Sequence, residues 1–369
     1  MFESEGVERD YPRVPGLVVL VLLAVLPWIT HSEFLLESSF LAGLAAIEAY
    51  GLQIAYKYCG IFSMFYVASA GIGAYAVVVL ALSDNFPFWA GLIVAVGAAL
   101  IVGLIIGAVS VRCGGMYFVM VTFGLAGALG IVADNLNVTG GTNGLTVVQP
   151  MDLGLFSISG GSETASYLAM FVLVLASIAF LVIPRETRIG KRLIAGRDNI
   201  QLARSVGIRA HQQRVAVFAL SAIPTVLAGA VFAFHEYHVE PDQWGSTQAL
   251  QVFVVLILGG LNSWSGPLIG AVIVTFLPNY LNLNPTLSQI AYGALLIAVI
   301  ILAPVGVGGL LSKLTTSTIA VTARTARKTR TSTTAPKITD ATTVATTGGA
   351  AATGPDSDQV AVSQVPEDE

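Results

Sequence analysis

The sequence is poor in charge. Only 11% of its 369 residues are Asp, Glu, Lys or Arg, against 55% hydrophobic types. That is under half the charged share of a soluble domain, too little to cover a water-facing surface, so the bulk solvent must be a bilayer. Cysteine is almost absent. Cys59 and Cys113 each stand near a basic residue, Lys57 and Arg112, at the edge of an apolar run. Two thiols could pair, but reduced thiols at a cytoplasmic face are the expectation. A net charge of −4 points to no nucleic-acid partner. No phosphate-binding loop occurs: Gly190 and Lys191 are followed by Arg192 rather than Ser or Thr, and Arg185 stands where the first Gly of the loop belongs. Any ATP hydrolysis must therefore happen in another subunit. The four histidines, His31, His211, His235 and His238, lack a metal-ligand pattern. His235 and His238 are expected to anchor at an outer membrane edge. No catalytic residue, metal or cofactor is expected, and the chain does not read as an enzyme.

What the chain has in quantity is long uncharged runs. Crossing about 30 Å of hydrocarbon takes roughly 17–25 residues, and ten candidate spans occur: 15–30, 37–56, 60–82, 86–111, 115–134, 166–184, 214–235, 246–261, 265–282 and 287–304. The first and eighth are short. The third carries Gly71 and Gly73, which permit either a broken helix or close packing, and "GGLNSWSGP" (259–267) is a tight turn between the eighth and ninth. The first run follows an acidic segment, "MFESEGVERDYPR", and no small-x-small cleavage site follows it, so it is read as a retained span rather than a signal peptide. The expected fold is an all-α polytopic membrane protein of about ten transmembrane helices.

Orientation follows from the basic residues, which cytoplasmic loops retain. With the N-terminus inside, all 18 Lys and Arg fall on the inner face, whereas Glu33, Glu37, Asp84, Asp152, Glu163, Glu236, Glu240 and Asp242 fall outside. Both termini are thus expected in the cytoplasm. The resulting division is a cytoplasmic N-terminus (1–14), a transmembrane domain (15–311) and a tail (312–369). The tail is rich in Thr, Ala and Gly and too poor in hydrophobes to fold alone.

The largest inner loop, 185–213, interrupts the oily chain with "RETRIGKRLIAGRDNIQLARSVGIRAHQQ". Leu193, Gly196, Ile200, Ala203 and Val206 recur at steps of three and four, giving a narrow small-to-apolar helical face. Asp198, with Gln201 three residues on, is the expected N-cap of a second short helix. Two short helices joined near Arg197–Asn199 result, with one basic face. That face suits docking into a groove of a soluble partner and equally suits a solvated positive-inside loop.

Together, "GKRLIAGRDNIQLARSVGI" (190–208) and "VAVFALSAIPTVLAGAVFAF" (215–234) resemble the permease subunits of branched-chain amino acid ABC importers. "GIFSMFYVASAGIGAY" (60–75), "GMYFVMVTFGLA" (115–126), "TGGTNGL" (139–145) and "LGGLNSWSGPLIGA" (258–271) agree in order and spacing, and the likeness runs from about residue 50 to 305. Phe65 stands where the family often has Gly, Ser69 where it often has Phe, and Met116 where an acid is frequent. The resemblance implies a cell-membrane importer working by alternating access. Its partners would be a second homologous permease subunit, two cytoplasmic ABC ATPases and an extracytoplasmic substrate-binding protein. Branched-chain or other hydrophobic amino acids are the implied cargo. The central loop is then the coupling element seated on the ATPase, through Gly190, Arg192, Ala195, Arg197, Asp198, Asn199, Ala203 and Gly207. A urea or short-amide permease of the same class shares these motifs. An ion-coupled secondary transporter would need more intramembrane charge and no such loop, and a passive channel has no use for the loop either.

Several residues are candidates for the substrate pathway. Glu48 lies midway along the second span, where a carboxylate costs about 2.5–3.5 kcal/mol on insertion scales. It should therefore face the bundle interior or water, as a contact to a substrate ammonium or in a packing role. Ser63, Tyr66 and Tyr75 flank the Gly71/Gly73 pair, at which a break would line a cavity and an unbroken helix would pack closely, as Gly103 and Gly107 should. Thr122 is expected to bond back to its own helix or to face the pathway. Thr139, Gly140, Gly141 and Asn143 form an outer turn, which the resemblance sets at the border of the outer gate.

Overall fold

A computed structural model of the chain describes residues 18–23, 32–84, 88–110, 113, 115–147, 151–152, 157–158, 163–261, 263–281 and five positions between 287 and 297. The expected N-terminal segment 1–14, most of the first and tenth spans, and the tail 312–369 lie outside the described residues. A helical stretch over 18–23 falls within the first candidate span, and the Tyr167 hydroxyl donates to the Leu23 carbonyl at 2.6 Å.

Among the described residues eleven helices follow in order: α1 (Glu33–Cys59), α2 (Phe65–Asp84), α3 (Phe88–Ser110), α4 (Met116–Asn135), α5 (Glu163–Glu186), α6 (Arg188–Asp198), α7 (Ile200–Ser205), α8 (Ala210–Ser221), α9 (Ile223–Glu236), α10 (Ser246–Gly259) and α11 (Gly266–Leu281). Four two-residue strands, β1 (Leu145–Thr146), β2 (Met151–Asp152), β3 (Ser157–Ile158) and β4 (His238–Val239), pair as β1 with β4 and β2 with β3. Six helical segments among the described residues are long and apolar enough to cross a membrane, α8 and α9 together forming one of them. They correspond to the second through seventh candidate spans. The fold is that of an all-α polytopic membrane protein.

The helices differ in what surrounds them. α1 is buried nearly all round, from Leu36 to Cys59, as a helix at the centre of a bundle must be. α3, α4 and α5 instead expose large apolar side chains, among them Ile93, Ile101, Ile105, Met120, Ile131, Val172 and Ile183. Such a surface would be untenable in water and is ordinary against lipid or a second membrane subunit.

α2 is unbroken through Gly71 and Gly73, so of the two readings the break is the one the structure does not bear out. The chain leaves helix one loop earlier, over 60–64. Gly60 ends α1 in the left-handed region (φ 69°) with its N–H bonded to the Tyr56 carbonyl. Ser63 Oγ then accepts from the Phe65 N–H at 3.1 Å, turning the chain into α2. The two glycines serve packing. A Cβ at Gly73 would overlap the Val226 carbonyl oxygen, and one at Gly71 would lie 2.7 Å from Trp244 Cγ. Gly103 and Gly107 do the same on α3, against the Ala219 and Val215 backbone at 3.0 and 3.2 Å.

The seventh span is divided at Ala222, between α8 and α9. Pro224 has no N–H to offer the Leu220 carbonyl four residues back, which accounts for the interruption. α10 and α11 have 14 and 16 described residues, roughly 21 and 24 Å of helix.

Candidate functional site

The site is built around α1. On one side, α2 and α9 meet backbone to backbone: Gly73 lies against the Val226 carbonyl and Gly229 against that of Ala70, with no room for a side chain at either glycine. Two buried hydroxyl pairs fasten α2 to the α8–α9 junction, Tyr66 Oη with Ser221 Oγ and Ser69 Oγ with Thr225 Oγ1, both at 2.6 Å. Ser221 and Thr225 also donate to the Phe218 and Ala222 carbonyls one turn back. Each hydroxyl thus finds partners inside the protein, as the hydrocarbon interior requires.

On the other side, the α10–α11 hairpin turns before reaching the end of α1. The Gln53 side-chain amide donates to the Leu261 and Ser263 carbonyls at 2.8 and 2.7 Å, and the Tyr50 hydroxyl to that of Trp264 at 2.9 Å. Gln53 is six residues short of Cys59, about 9 Å along the helix. The turn's carbonyls therefore sit beside α1, and two side chains of α1 meet them. Serine hydroxyls finish the turn, with Ser263 Oγ 2.9 Å from Ser265 Oγ.

Between these two assemblies lies a cavity of about 240 Å³ lined by Leu41, Leu44, Ala45, Glu48, Phe232, Gln243, Trp244, Gln248, Gln251 and Thr275. Glu48 is fully buried. Neither of its carboxylate oxygens has a hydrogen-bond partner among the described residues, and the same holds for the Trp244 indole N–H. Trp244 is fixed from several directions. It ends a one-turn 3₁₀ helix, Pro241–Trp244, which a reciprocal Glu240–Gln243 capping box closes. Gly71 packs against its Cβ and Cγ, and Phe232 meets its ring edge-on at 5.3 Å between centroids.

Of the sequence-predicted pathway residues, Glu48 alone lines this cavity. Ser63 and Tyr66 are buried and bonded as described. Thr122 donates back to the Phe118 and Val119 carbonyls at 3.0 and 3.1 Å and accepts from the Met64 N–H at 3.1 Å, so it fastens α4 to the start of α2. Tyr75 is half-buried on α2. Thr139, Gly140, Gly141 and Asn143 form two 3₁₀ turns after α4. Thr139 donates to the Ala133 and Leu136 carbonyls, Gly140 and Gly141 have φ of 78° and 62°, and Asn143 is exposed. Gly144 lets the turn press against Val239, and β1–β4 pairing joins it to the segment leading to Trp244.

The sequence reading missed Trp244, Gln248, Gln251, Thr275, Tyr50 and Gln53. Gln248 and Gln251 were the legible ones: two amides three residues apart in an apolar run share a helix face.

At the opposite end of α1 stands the charged loop. α6 and α7 are the two short helices expected, joined at Asn199. Thr187 Oγ1 caps α6 by accepting from the Gly190 N–H at 3.2 Å. Asn199, not Asp198, caps α7, its Oδ1 accepting from the Leu202 N–H at 3.0 Å. Asp198 is instead turned to Arg197, 2.9 Å from its Nε. Cap geometry follows the residue that leaves helical backbone, and Asn199, at φ −148°, is the one that does. Leu193, Gly196 and Ala203 are buried and Ile200 partly so, as the spacing required. Val206 departs from that face: α7 ends at Ser205, and Val206 is exposed together with Ile189 and Leu202. Gly190 is buried against the Pro184 carbonyl, Arg192, Ala195 and Gly207 are exposed, and Gly207 has φ 79°. Arg197 spans the gap to the bundle: its Nη1 donates to the Lys57 carbonyl at 2.7 Å, and its Cγ lies where a Cβ on Gly60 would be 3.0 Å away.

Among the remaining polar groups, His211 contacts Arg204, and the His235 ring lies tilted against that of Phe40 at 3.8 Å between centroids. His238 lies 3.1 Å from both Thr146 and Glu240, and His31 is outside the described residues. Cys59 is buried and Cys113 partly so, both as free thiols.

The sequence over residues 34–300 matches the family model described as branched-chain amino acid transport system / permease component. The chain is 26% identical over 312 residues to the high-affinity branched-chain amino acid transport system permease protein LivM of Escherichia coli (strain K12), covering 79% of this chain and 73% of that one. The LivM protein of Salmonella typhimurium is 25% identical over the same shares. The probable branched-chain amino acid transport permease protein LivH of Methanocaldococcus jannaschii is 27% identical over half of this chain and 60% of its own length. No solved structure matches. The chain belongs to the family of permease components of branched-chain amino acid transport systems.

Proposed function

We propose that this chain is the membrane-embedded half of an ATP-driven importer that carries branched-chain or other hydrophobic amino acids by alternating access. It works with a second permease subunit, two cytoplasmic ATPases and an external binding protein, and it hydrolyses nothing itself. Ten crossings with both ends in the cytoplasm complete the arrangement, since that count sorts every Lys and Arg onto one face.

The observation that carries this reading is the bond from Arg197 to the Lys57 carbonyl. It ties the charged loop to the end of the helix that holds Glu48 nine residues earlier, about 14 Å along the axis. A rigid element gripped from the cytoplasm can therefore tilt α1 and reshape the cavity beside it. Exposed Ile189, Leu202 and Val206, set among Arg192, Arg204 and Arg209, give the loop apolar contact area for an ATPase groove within a basic surround. The gating of Glu48, the outer turn at Thr139–Asn143 and the neighbouring Tyr75 belong to the same proposed pathway.

The test is reconstitution. Vesicles holding the permease pair, the ATPases and internal ATP should accumulate leucine when binding protein is added outside. Vesicles holding this polypeptide alone should not. Concentrative uptake by the lone chain would overturn the reading in favour of an ion-coupled carrier.

A further inference from the structure

We propose that the Glu48 cavity is a chamber for the charged head of a free amino acid, built within one chain: the Glu48 carboxylate takes the ammonium, and the Trp244 indole N–H takes the carboxylate. The proposal rests on the reading of the chain as an importer permease.

The cavity holds two unmet hydrogen-bonding groups of opposite sense. Both oxygens of the fully buried Glu48 lack a partner among the described residues, and so does the indole N–H of Trp244. Tyr66, Ser69 and Thr122 are met locally, by Ser221, by Thr225 and by the Thr122 helix itself. Other buried polar atoms also lack a partner among the described residues, Ser39 Oγ, Gln53 Oε1 and the Tyr75 hydroxyl among them, but of the residues with such atoms only Glu48 and Trp244 line this cavity. A carboxyl that can pair with an ammonium and a pure donor together complement a zwitterion. Leu41, Leu44 and Phe232 wall the rest of the space and suit an aliphatic side chain, while the Gln248 amide offers a further polar contact. At about 240 Å³ the cavity falls below the roughly 300–1,000 Å³ of drug-sized pockets, so the occupant is small.

Water alone could fill a polar space of this volume. What distinguishes a recognition site is rigidity. A solvated pocket needs no fixed donor, yet Trp244 is held by a capping box, by Phe232 and by close contact at Gly71. A donor so fixed is pre-organised for a ligand of defined length.

The chemistry sets an order among ligands. An amine lacking the carboxylate leaves only the indole unmet. An acid lacking the ammonium brings a second anion against Glu48. Leucine should bind best, 3-methylbutylamine more weakly, and 4-methylpentanoate least. The experiment is equilibrium dialysis of radiolabelled leucine against the assembled permease–ATPase complex without binding protein, with both analogues as competitors. Saturable binding is expected, displaced by the amine and not by the acid at tenfold higher concentration. Glu48→Gln should weaken leucine binding at least tenfold and Trp244→Phe several-fold. Both variants should keep the wild-type melting midpoint, and Glu48→Asp should keep the competition order. Wild-type binding by Glu48→Gln, equal competition by the two analogues, or no saturable binding by the wild type would each overturn the chamber. ATP-driven leucine uptake by the same wild-type complex in vesicles is measured in parallel. If uptake is present while binding fails, the chamber is wrong and the importer stands. If uptake itself is missing, the importer reading fails.

Discussion

Arg197 on α6 donates to the carbonyl of Lys57 at the end of α1 across 2.7 Å. That carbonyl is one of the last four of a helix, which the helix itself cannot satisfy. A charged donor there contributes about 1.5–3 kcal/mol. The bond is therefore strong enough to move the two elements together and local enough to be removed without unmaking the bundle.

Arg197→Glu should accordingly reduce ATP-driven amino acid uptake by tenfold or more, because the carboxylate repels the Lys57 carbonyl and uncouples the loop from α1. Membrane insertion and the melting midpoint should stay near wild type. Uptake assays in vesicles, alongside ATPase measurements on the same complex, check this. Transport at the wild-type rate would remove the strut from the mechanism.

Gln53 is predicted to matter for stability rather than for transport chemistry. It meets the Leu261 carbonyl and shares in closing the turn at Ser263. Gln53→Leu keeps the volume and removes both donors, leaving carbonyls unmet at a cost of about 1–3 kcal/mol each. Gln53→Glu should be worse, since an ionised carboxylate would face carbonyl oxygens with no proton to offer. Thermal unfolding in detergent should rank wild type above Gln53→Leu and Gln53→Glu lowest. Equal midpoints would mean that the hairpin does not depend on α1.

How far the sequence alone reaches can be seen at particular residues. Long apolar runs located α1 through α5 and the α8–α9 span within a few residues, because crossing length is a local property. The spacing of Leu193, Gly196 and Ala203 located the buried face of the loop for the same reason. Gly71 and Gly73 were ambiguous, since a glycine pair permits a break and a close approach alike, and only the position of Val226 and Trp244 decides between them. The exchange of Asp198 for Asn199 as cap turns on one residue's backbone angle. Trp244 was illegible, for it lies in an outer connection whose return to Glu48 depends on the β1–β4 pairing and the capping box. Glu48 stood out because a lone acid in a span is costly wherever the rest of the chain goes.

The contact of α2 with α9 leaves no slack. Gly73→Ala and Gly229→Ala each set a methyl group onto a carbonyl oxygen of the opposing backbone, which no rotamer change can relieve. Each should lower the yield of folded protein severalfold and depress the melting midpoint. Gly97→Ala on α3 is the control, because nothing lies within 4 Å of the added carbon. It should be neutral or slightly stabilising, since alanine favours helix over glycine by about 1 kcal/mol. Size-exclusion yield and thermal midpoints of the three variants decide the matter, and a Gly73→Ala protein as stable as Gly97→Ala would mean that the helices separate freely.

The sidedness of the chain can be read chemically. Asn143 and Ser205 are both exposed, one in the turn after α4 and the other at the end of α7. The charge distribution assigns the first to the outer face and the second to the cytoplasm. In a background with Cys59→Ala and Cys113→Ala, Asn143→Cys should react with a membrane-impermeant maleimide in intact cells, while Ser205→Cys should react only in inverted vesicles or after lysis. Both positions lie outside the apolar spans, so slow labelling by burial in lipid is not an issue at either. Labelling of Ser205→Cys in intact cells would invert the topology. The loop that carries Arg197 would then stand beyond the reach of any cytoplasmic ATPase, whatever its contact with Lys57.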